Sequence, residues 1–487
     1  MSTTPGTPKT AATPRPPRHA VVIGGGIAGL AAAWQLRETA PDALRVTVLE
    51  SADRVGGKLS TRTLAGTVLD DGCESMMSLR PEAVRLAEAV GLGGELLPPA
   101  AAPTTVWTRG ALRALPPGHV MGVPTDPDAL AATGLLSAAG VDQLRREPAL
   151  PAVPVVGDIT VGRYLTDRLG PETVDRIVEP LLGGIYAGRT ELLSLEAVMP
   201  RLLPFARRGT SLLDGLRAAR RDAPQGPPPQ VVTGLRGGVG RLPAAVAASL
   251  AGSRDADIRT GTRVVSLWRS DRGWHILAET GQGPLELIAD AVVLALPAHP
   301  AGRLLAPHAP AVAGELSGYG YAATAVVTLA FDRRTLPAVP RGNGFLVPPV
   351  DGRTVKAATF TSNKWSAVAE ADPGTFHLRT SIGRFGAAED LARSDDELVR
   401  RSLADLGDAL GGPLGDPSDA AVTHWPDGLP QYTVGHQERV ARIRSGMAHL
   451  PGLAVCGAAY DGVGVAACVA SGQRAAAEVL TAVDAGR

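Results

Sequence analysis

Residues His19 to Leu30 read HAVVIGGGIAGL, and this string limits the fold of the chain more than any other. Ala20 to Ile23 is a short apolar, β-branched run, the kind that forms a strand covered on both faces. Gly24, Gly26 and Gly29 follow it at G-x-G-x-x-G spacing. Gly24 permits a tight turn, Gly26 lets a pyrophosphate approach the backbone with no Cβ in the way, and Gly29 lets the next helix lie close on the strand. That helix, expected from Ile27 to about Arg37, aims its N-terminal amides at phosphate. A second strand, Arg45 to Leu49, ends at Glu50, about 20 residues past the glycines, where a carboxylate accepts from ribose hydroxyls and repels a 2′-phosphate. A glycine turn can serve packing alone, but strand, glycines, helix, strand and acid in this order define a dinucleotide cradle. Its expected contacts are Gly24, Gly25, Gly26, Ile27, Ala28, Gly29, Glu50 and Ser51.

The rest of the composition removes other classes. The 487 residues suffice for two or three structural units. Charge is balanced at 48 basic and 48 acidic residues, which gives no argument for nucleic acid or a strongly anionic membrane. Three cysteines, Cys73, Cys456 and Cys468, are too few and wrongly spaced for a disulfide framework or a zinc site, so a reducing, cytoplasmic setting is expected. No run of about 18 apolar residues predicts a transmembrane segment, which leaves peripheral membrane contact open. The first 18 residues, rich in Thr, Pro and Ala, lack a signal-peptide core and are expected to be a disordered tail.

In order, Thr67 to Ser75 predicts a strand running into a loop that turns at Gly72. Arg80 to Gly91 predicts a helix with Val84, Leu86, Ala87 and Val90 inward. A helical region then extends to about Leu213 and contains VEPLLGGIYAG, Val178 to Gly188, read locally as a helix capped by Gly183 and Gly184. A proline-rich linker, Ala223 to Pro229, precedes a glycine-rich turn and an Ala-rich helix. Ile258 to Leu267 predicts one strand, followed by an antiparallel pair, Gly273 to Glu279 with Pro284 to Ile288. Ala291 to Leu296 is a buried strand. Alternation over Tyr321–Phe331, 344–348, 354–361 and Thr375–Ile382 predicts an antiparallel sheet. Leu453 to Cys456 predicts a last strand, with a glycine-bearing turn to Gly464 and an Ala-rich helix from Val465.

Several of these strings are shared with a known family. Arg54-Val55-Gly56-Gly57-Lys58 places a second glycine pair after the acid-bearing strand, as in FAD-binding flavoproteins of the amine oxidase and porphyrinogen oxidase superfamily. Together with LLGGIYAG (181–188), GFLVPP (344–349), TFTSNKW (359–365) and LPQYTVGH (429–436), it makes the chain resemble the porphyrinogen oxidases of haem synthesis, especially the soluble type of Gram-positive bacteria. The resemblance implies an α/β fold: a discontinuous Rossmann-like FAD domain (19–66, 231–300, 435–487), an antiparallel-sheet substrate domain (67–107, 213–230 as linker, 301–434) and a helical subdomain (108–212). It implies oxidation of coproporphyrinogen III to coproporphyrin III through FAD, with dioxygen as acceptor and hydrogen peroxide as product. Protoporphyrinogen IX is the alternative substrate. A flavin amine oxidase, a carotenoid desaturase and a flavin scaffold without turnover are more distant readings.

The same resemblance assigns residues. Gly72, Cys73, Glu74 and Ser75 would lie on the flavin side of FAD, although relatives read closer to Gly-Pro-Asp-Ser there. The backbone at Val264 would meet the adenine, and Ala458, Val463, Gly464 and Val465 would place a helix N-terminus at the pyrimidine end of the isoalloxazine. Relatives usually carry Pro-Asp-Cys-Ile where this chain has Ala466 to Val469. Lys58 is expected beside the phosphates. Trp425 is either a flavin wall or a core residue, and Arg80 is either a propionate ligand or a surface residue beside a helix start. His119 and His436 are expected to be loop residues. No catalytic side chain, metal site or oligomeric state is legible. Gly26→Val is expected to abolish FAD retention in a protein that still folds; a folded variant with full flavin content would show that the glycine serves packing alone.

Overall fold

The computed structural model describes residues 18–40, 44–222 and 230–485. The expected tail, up to residue 17, and the Ala223–Pro229 linker lie outside the described residues. Residue 18, counted with that tail, already belongs to the first strand.

Five parallel strands form the central sheet: β1 (Arg18–Ile23), β2 (Leu44–Leu49), β3 (Ala256–Arg259), β4 (Ala291–Leu294) and β5 (Leu453–Val455), in spatial order β3-β2-β1-β4-β5. The order reverses beside β1, which makes the carboxyl ends of β1 and β4 the switch point where ligands bind in open parallel sheets. Both faces are covered, as apolar runs such as Val21–Val22 and Val292–Val293 require. On one face lie α1 (Ile27–Thr39), α3 (Arg241–Ala251) and α4 (Val465–Ala485), with Leu30, Leu36, Val246, Leu250, Val469 and Val479 in one core cluster, whereas α2 (Glu179–Tyr186) belongs to the helical region. The other face packs on a three-stranded antiparallel sheet through Trp274 and Ile276, and on helices 298–305, 310–317 and 436–447.

A seven-stranded sheet forms the second body, in the order 419–430, 321–332, 375–382, 355–359, 344–346, 105–108 and 111–114. Phe331, Phe345, Phe360 and Phe376 fill its core against helix 395–410. The Asp419–Pro430 strand was not expected, because WPDG reads as a turn. It forms the sheet edge, where Pro426 loses no ladder hydrogen bond.

The helical region has its own apolar core of Leu144, Leu165, Ile177, Leu182 and Leu202. Here α2 continues a π-helical turn, Val174–Val178. Pro180 cannot donate to the carbonyl of Arg176, and the wider turn stands immediately before it. Contrary to the expected cap at Gly183 and Gly184, α2 runs through both glycines and ends at Ala187, which takes the left-handed conformation at φ 47°. The single strand expected over 258–267 is two, β3 and Arg263–Ser270, separated by a turn at Gly261 with φ +58°. The inward residues of helix 82–89 are Ala83, Leu86 and Ala87. The hairpin 61–64 with 67–70 pairs across the boundary expected at 66, and one strand, Thr105–Thr108, runs through that expected at 107.

The approach of α4 to α1 is close enough that a Cβ at Gly472 would stand 2.1 Å from the carbonyl oxygen of Ala28, whereas one at Gly314 would meet nothing within 4 Å. Gly472→Ala is therefore expected to destabilise by about 2–3 kcal/mol, and Gly314→Ala to be neutral or stabilising by up to about 1 kcal/mol. Urea unfolding of both variants checks the pair; equal midpoints would show that the helices simply move apart.

Candidate active site

Three separated segments meet at the carboxyl ends of β1, β4 and β5. Gly24, at φ +110°, is the tight turn after β1, and a Cβ on it would stand 2.4 Å from the carbonyl oxygen of Ala295. A Cβ on Gly29 would stand 2.0 Å from the Gly24 carbonyl oxygen, so this glycine seats α1 on the strand. Gly26 differs: a Cβ there meets nothing within 4 Å, and neither does one on Gly464. These two glycines border open space, and the segment carrying Val463, Gly464 and Val465 leads straight into α4. Ile27 and Ala28 are buried as the first residues of α1. A cradle with one glycine at the α1 N-terminus and another at the α4 N-terminus fits a dinucleotide whose pyrophosphate lies on the first and whose flavin reaches the second.

The adenosine side is equally defined. Glu50 accepts from the Gly25 amide at 2.7 Å and from the Ala52 amide at 2.8 Å, with the Ser51 hydroxyl at 3.2 Å, and stays half-buried at the strand end. The Thr262 and Gly261 amides donate to the carbonyls of Glu50 and Ala52, which brings Val264 and its strand alongside the acid. The second glycine pair closes on the first, as Gly56 donates to the Gly25 carbonyl at 2.8 Å. Lys58, expected beside the phosphates, has its ammonium donating to the main-chain carbonyls of Asp427 and Gly428, the latter at 2.7 Å, and 5.5 Å from the Tyr321 ring centre. The Gly57 turn carries the chain away from the glycine loop and toward the 419–430 strand. Burial lowers the pKa of the Lys58 ammonium.

The loop at Gly72 is held from behind. Arg379 donates to the Gly72 carbonyl at 2.6 Å and pairs with Glu74 at 3.2 Å, while Lys364 pairs with the other Glu74 oxygen at 2.6 Å. Glu74, expected on the flavin side through its loop, turns its side chain into this ion cluster and is only 7 % exposed. Burial alone would raise its carboxyl; Arg379 and Lys364 outweigh burial and hold it below the ordinary range. Trp425 donates its indole N–H to the Asp71 carbonyl at 3.3 Å and lies against Gly72, so it walls this loop. Cys73 is exposed; desolvation by neighbouring protein atoms holds its thiol above the ordinary pKa, and it donates to the Ser75 carbonyl. Cys468 is buried, its thiol pushed up to about 12.

Arg80 is exposed at the rim. Its guanidinium approaches to 3.6 Å of where a Gly462 Cβ would stand, and its charge reaches the Tyr186 hydroxyl at the end of α2. The rim beside it is apolar, with Met77, Leu79 and Ile185 each more than a third exposed. His119 follows expectation, accepting from the Gly122 amide in its loop. His436 does not: it is a buried residue at the start of helix 436–447, stacked on Tyr432. Sequence reasoning gave no task to Arg379, Lys364, Tyr319, Tyr432 or His436. Lys364 lies within TFTSNKW, and Tyr432 and His436 within LPQYTVGH, but only the fold shows what they face. Among the described residues, no group of His, Cys, Asp or Glu is arranged to hold a metal ion and no helix is long and apolar enough to cross a membrane.

The sequence matches the family described as flavin containing amine oxidoreductase over residues 27–480. The chain belongs to that family and is an FAD-dependent oxidoreductase. It is 37% identical to the coproporphyrinogen III oxidase of Mycobacterium tuberculosis, covering 96% of this chain and 99% of that protein. To the coproporphyrinogen III oxidase of Bacillus subtilis it is 30% identical, covering 95% and 98%. A crystal structure described as a protoporphyrinogen oxidase from Exiguobacterium sp. 255-15 superposes with a TM-score of 0.83 at 32% identity, covering 95% of this chain and 98% of that one.

The Glu74 cluster generates a stability prediction. Glu74→Gln leaves two half-buried cations facing a neutral amide and is expected to cost about 2–4 kcal/mol. A change below about 0.5 kcal/mol in urea unfolding would show that water already screens the three charges.

Proposed function

We propose that this chain oxidises coproporphyrinogen III to coproporphyrin III in haem synthesis. The observation that carries the reading is the seat of Arg80, between Tyr186 of the LLGGIYAG helix and Gly462 of the turn leading to α4, on an apolar rim. A flat macrocycle with carboxylates at its edge needs such a combination, an apolar wall for the rings and a cation for a propionate. The names of the Mycobacterium and Bacillus relatives support it. Protoporphyrinogen IX is the second reading, favoured by the description of the Exiguobacterium structure.

The residues that would hold FAD are Gly24 to Gly29, Glu50 and Ser51 on the adenosine and pyrophosphate side, Val264 at the adenine, and Gly72 to Ser75, Trp425, Ala458 and Val463 to Val465 around the flavin. Chemistry supplied by bound FAD is acceptance of hydride from the porphyrinogen, with dioxygen as the terminal acceptor and hydrogen peroxide as product. The protein's own part is placement. Arg80 fixes a propionate, Gly183 and Gly184 keep side chains off the face of α2, and Trp425 keeps the Gly72 loop in place. The division into FAD-binding, substrate and helical parts belongs to the same proposal, with the FAD-binding part contributed in three stretches around 19–66, 231–300 and 435–487. Peripheral contact with a membrane is compatible with it, and the apolar rim at Met77 and Leu79 is where it would occur.

Coproporphyrinogen III carries four propionates and protoporphyrinogen IX two, so the former is expected to show the higher kcat/KM. Arg80→Ala is expected to narrow that preference by roughly 10-fold, the loss of one charge-assisted hydrogen bond. Fluorescence assays with both substrates in aerated buffer decide. A clear preference for protoporphyrinogen IX establishes the second reading, and turnover of neither removes the chain from haem synthesis.

A further inference from the structure

The LPQYTVGH segment, Leu429 to His436, matches the family yet supplies no group to the cradle described above. Its side chains bond elsewhere. The Tyr432 hydroxyl donates to the carbonyl of Ala458, the Tyr319 hydroxyl to that of Ala459 at 2.7 Å, and His436 Nε2 to that of Tyr460 at 3.3 Å. Three successive carbonyls of the turn between β5 and α4 thus each take one side-chain donor. The donors are locked against one another: Tyr432 stacks on His436 at 3.9 Å between ring centres and 17° between planes, Tyr319 meets the His436 ring edge-on at 6.0 Å, and Tyr186 tilts against Tyr432 at 5.9 Å. Gln431 reaches the other way and donates to the Tyr186 carbonyl at 2.9 Å, at the end of α2.

Such an arrangement has a definite mechanical effect. A peptide unit is planar, so fixing the carbonyls of 458, 459 and 460 also fixes the amides of 459, 460 and 461 on the opposite edges of those planes. The next residue is held as well, since Arg444 and Arg474 both pair with Asp461, and the Ser471 hydroxyl donates to it at 3.0 Å. Only after these ties does the turn pass Gly462, which packs against Ala467, and reach Gly464, which borders the open space at the start of α4. All three aromatic donors are neutral: burial raises both tyrosine hydroxyls and lowers His436 to about 4.

We infer that Tyr432, together with Tyr319 and His436, is a positioning residue for the flavin, whose ring hydroxyl and imidazole donors set the peptide planes of Ala458 to Tyr460 and so the direction in which the α4 N-terminus meets the cofactor. The inference rests on the reading that this turn faces the isoalloxazine. Tyr432→Phe keeps the stacked ring and removes only the hydroxyl. In the full FAD-loaded chain it weakens FAD binding by about 2- to 10-fold, the range for one hydrogen bond, and a loss confined to one flavin redox state moves the two-electron midpoint potential by about 10 to 30 mV. With the proposed substrate, kcat falls while KM holds, because Arg80 is untouched. Tyr319→Phe shifts the same two flavin quantities, and Tyr164→Phe, whose buried hydroxyl has no partner, shifts neither.

FAD titration and dye-referenced photoreduction measure both quantities without any porphyrinogen. A wild-type protein that binds FAD but turns over neither porphyrinogen would overturn the proposed function and leave this test intact. The inference is overturned if Y432F matches wild type in FAD affinity and potential, or if its apoprotein loses stability while the folded fraction keeps wild-type flavin properties.

Discussion

The close approach of α1 to β1 on one side and to α4 on the other is the constraint on which the rest depends. Gly29 admits the first contact and Gly472 the second; in both, a Cβ would stand near 2 Å from a main-chain oxygen. The two helices are thereby fixed relative to each other at the switch point of the parallel sheet. Their N-termini end up on the same side of it, pointing into the space that Gly26 and Gly464 leave open. The glycines of this site are therefore of two kinds. One kind is jammed against protein and sets helix positions; the other faces space and sets what can enter.

The central sheet takes its strands from widely separated stretches. Between β2 and β3 the chain builds the hairpin 61–70, part of the seven-stranded sheet and the whole helical region, and between β4 and β5 it builds the rest of that sheet. The entropy of closing such loops grows only logarithmically with their length, so large insertions at sheet ends are tolerated. What they need is fixed attachment, because on the proposed reading a substrate body that rocks against the FAD-binding body would lose the geometry of hydride transfer. Two polar ties supply it here: the Glu74, Arg379 and Lys364 cluster behind the Gly72 loop, and the 429–436 segment, bonded to α2 through Gln431 and to the α4 turn through Tyr432.

Legibility in the sequence follows the range of the interaction. The Gly24 to Gly29 turn, Glu50, the strands at 291–294 and 453–455 and the helix from Val465 are local patterns of apolar period and glycine spacing, and all were readable. Trp425 was singled out, but its strand was not, since WPDG carries turn residues and only an edge position makes Pro426 harmless. Lys58 and Glu74 show the limit most plainly. Motif and resemblance pointed both toward the cofactor, but the partners that direct their side chains lie about 300 residues or more away, Asp427 and Gly428 for one, Lys364 and Arg379 for the other, and no local pattern carries them. The cap expected at Gly183 failed for a similar reason, because packing of α2 in the helical core overrides the weak preference of glycine to stop a helix.

A site that works by placement puts particular demands on its buried polar groups. Any net charge near the flavin shifts its potential, so on the proposed reading the carbonyls of 458 to 460 are best held by neutral donors. Tyrosine hydroxyls raised by burial stay protonated across the range in which the protein works, and a histidine lowered to about 4 stays neutral over the same range. The one anion in the turn, Asp461, is compensated by Arg444 and Arg474. On the proposed reading the dipole of α4 then faces the cofactor from this turn, and its positive end favours the reduced, anionic flavin. The aromatic poverty of the chain as a whole conceals this economy. Of its six tyrosines, Tyr186, Tyr319, Tyr321, Tyr432 and Tyr460 gather around the turn before α4 and the ammonium of Lys58, and two of them, Tyr319 and Tyr432, give the turn's carbonyls neutral donors on rigid rings.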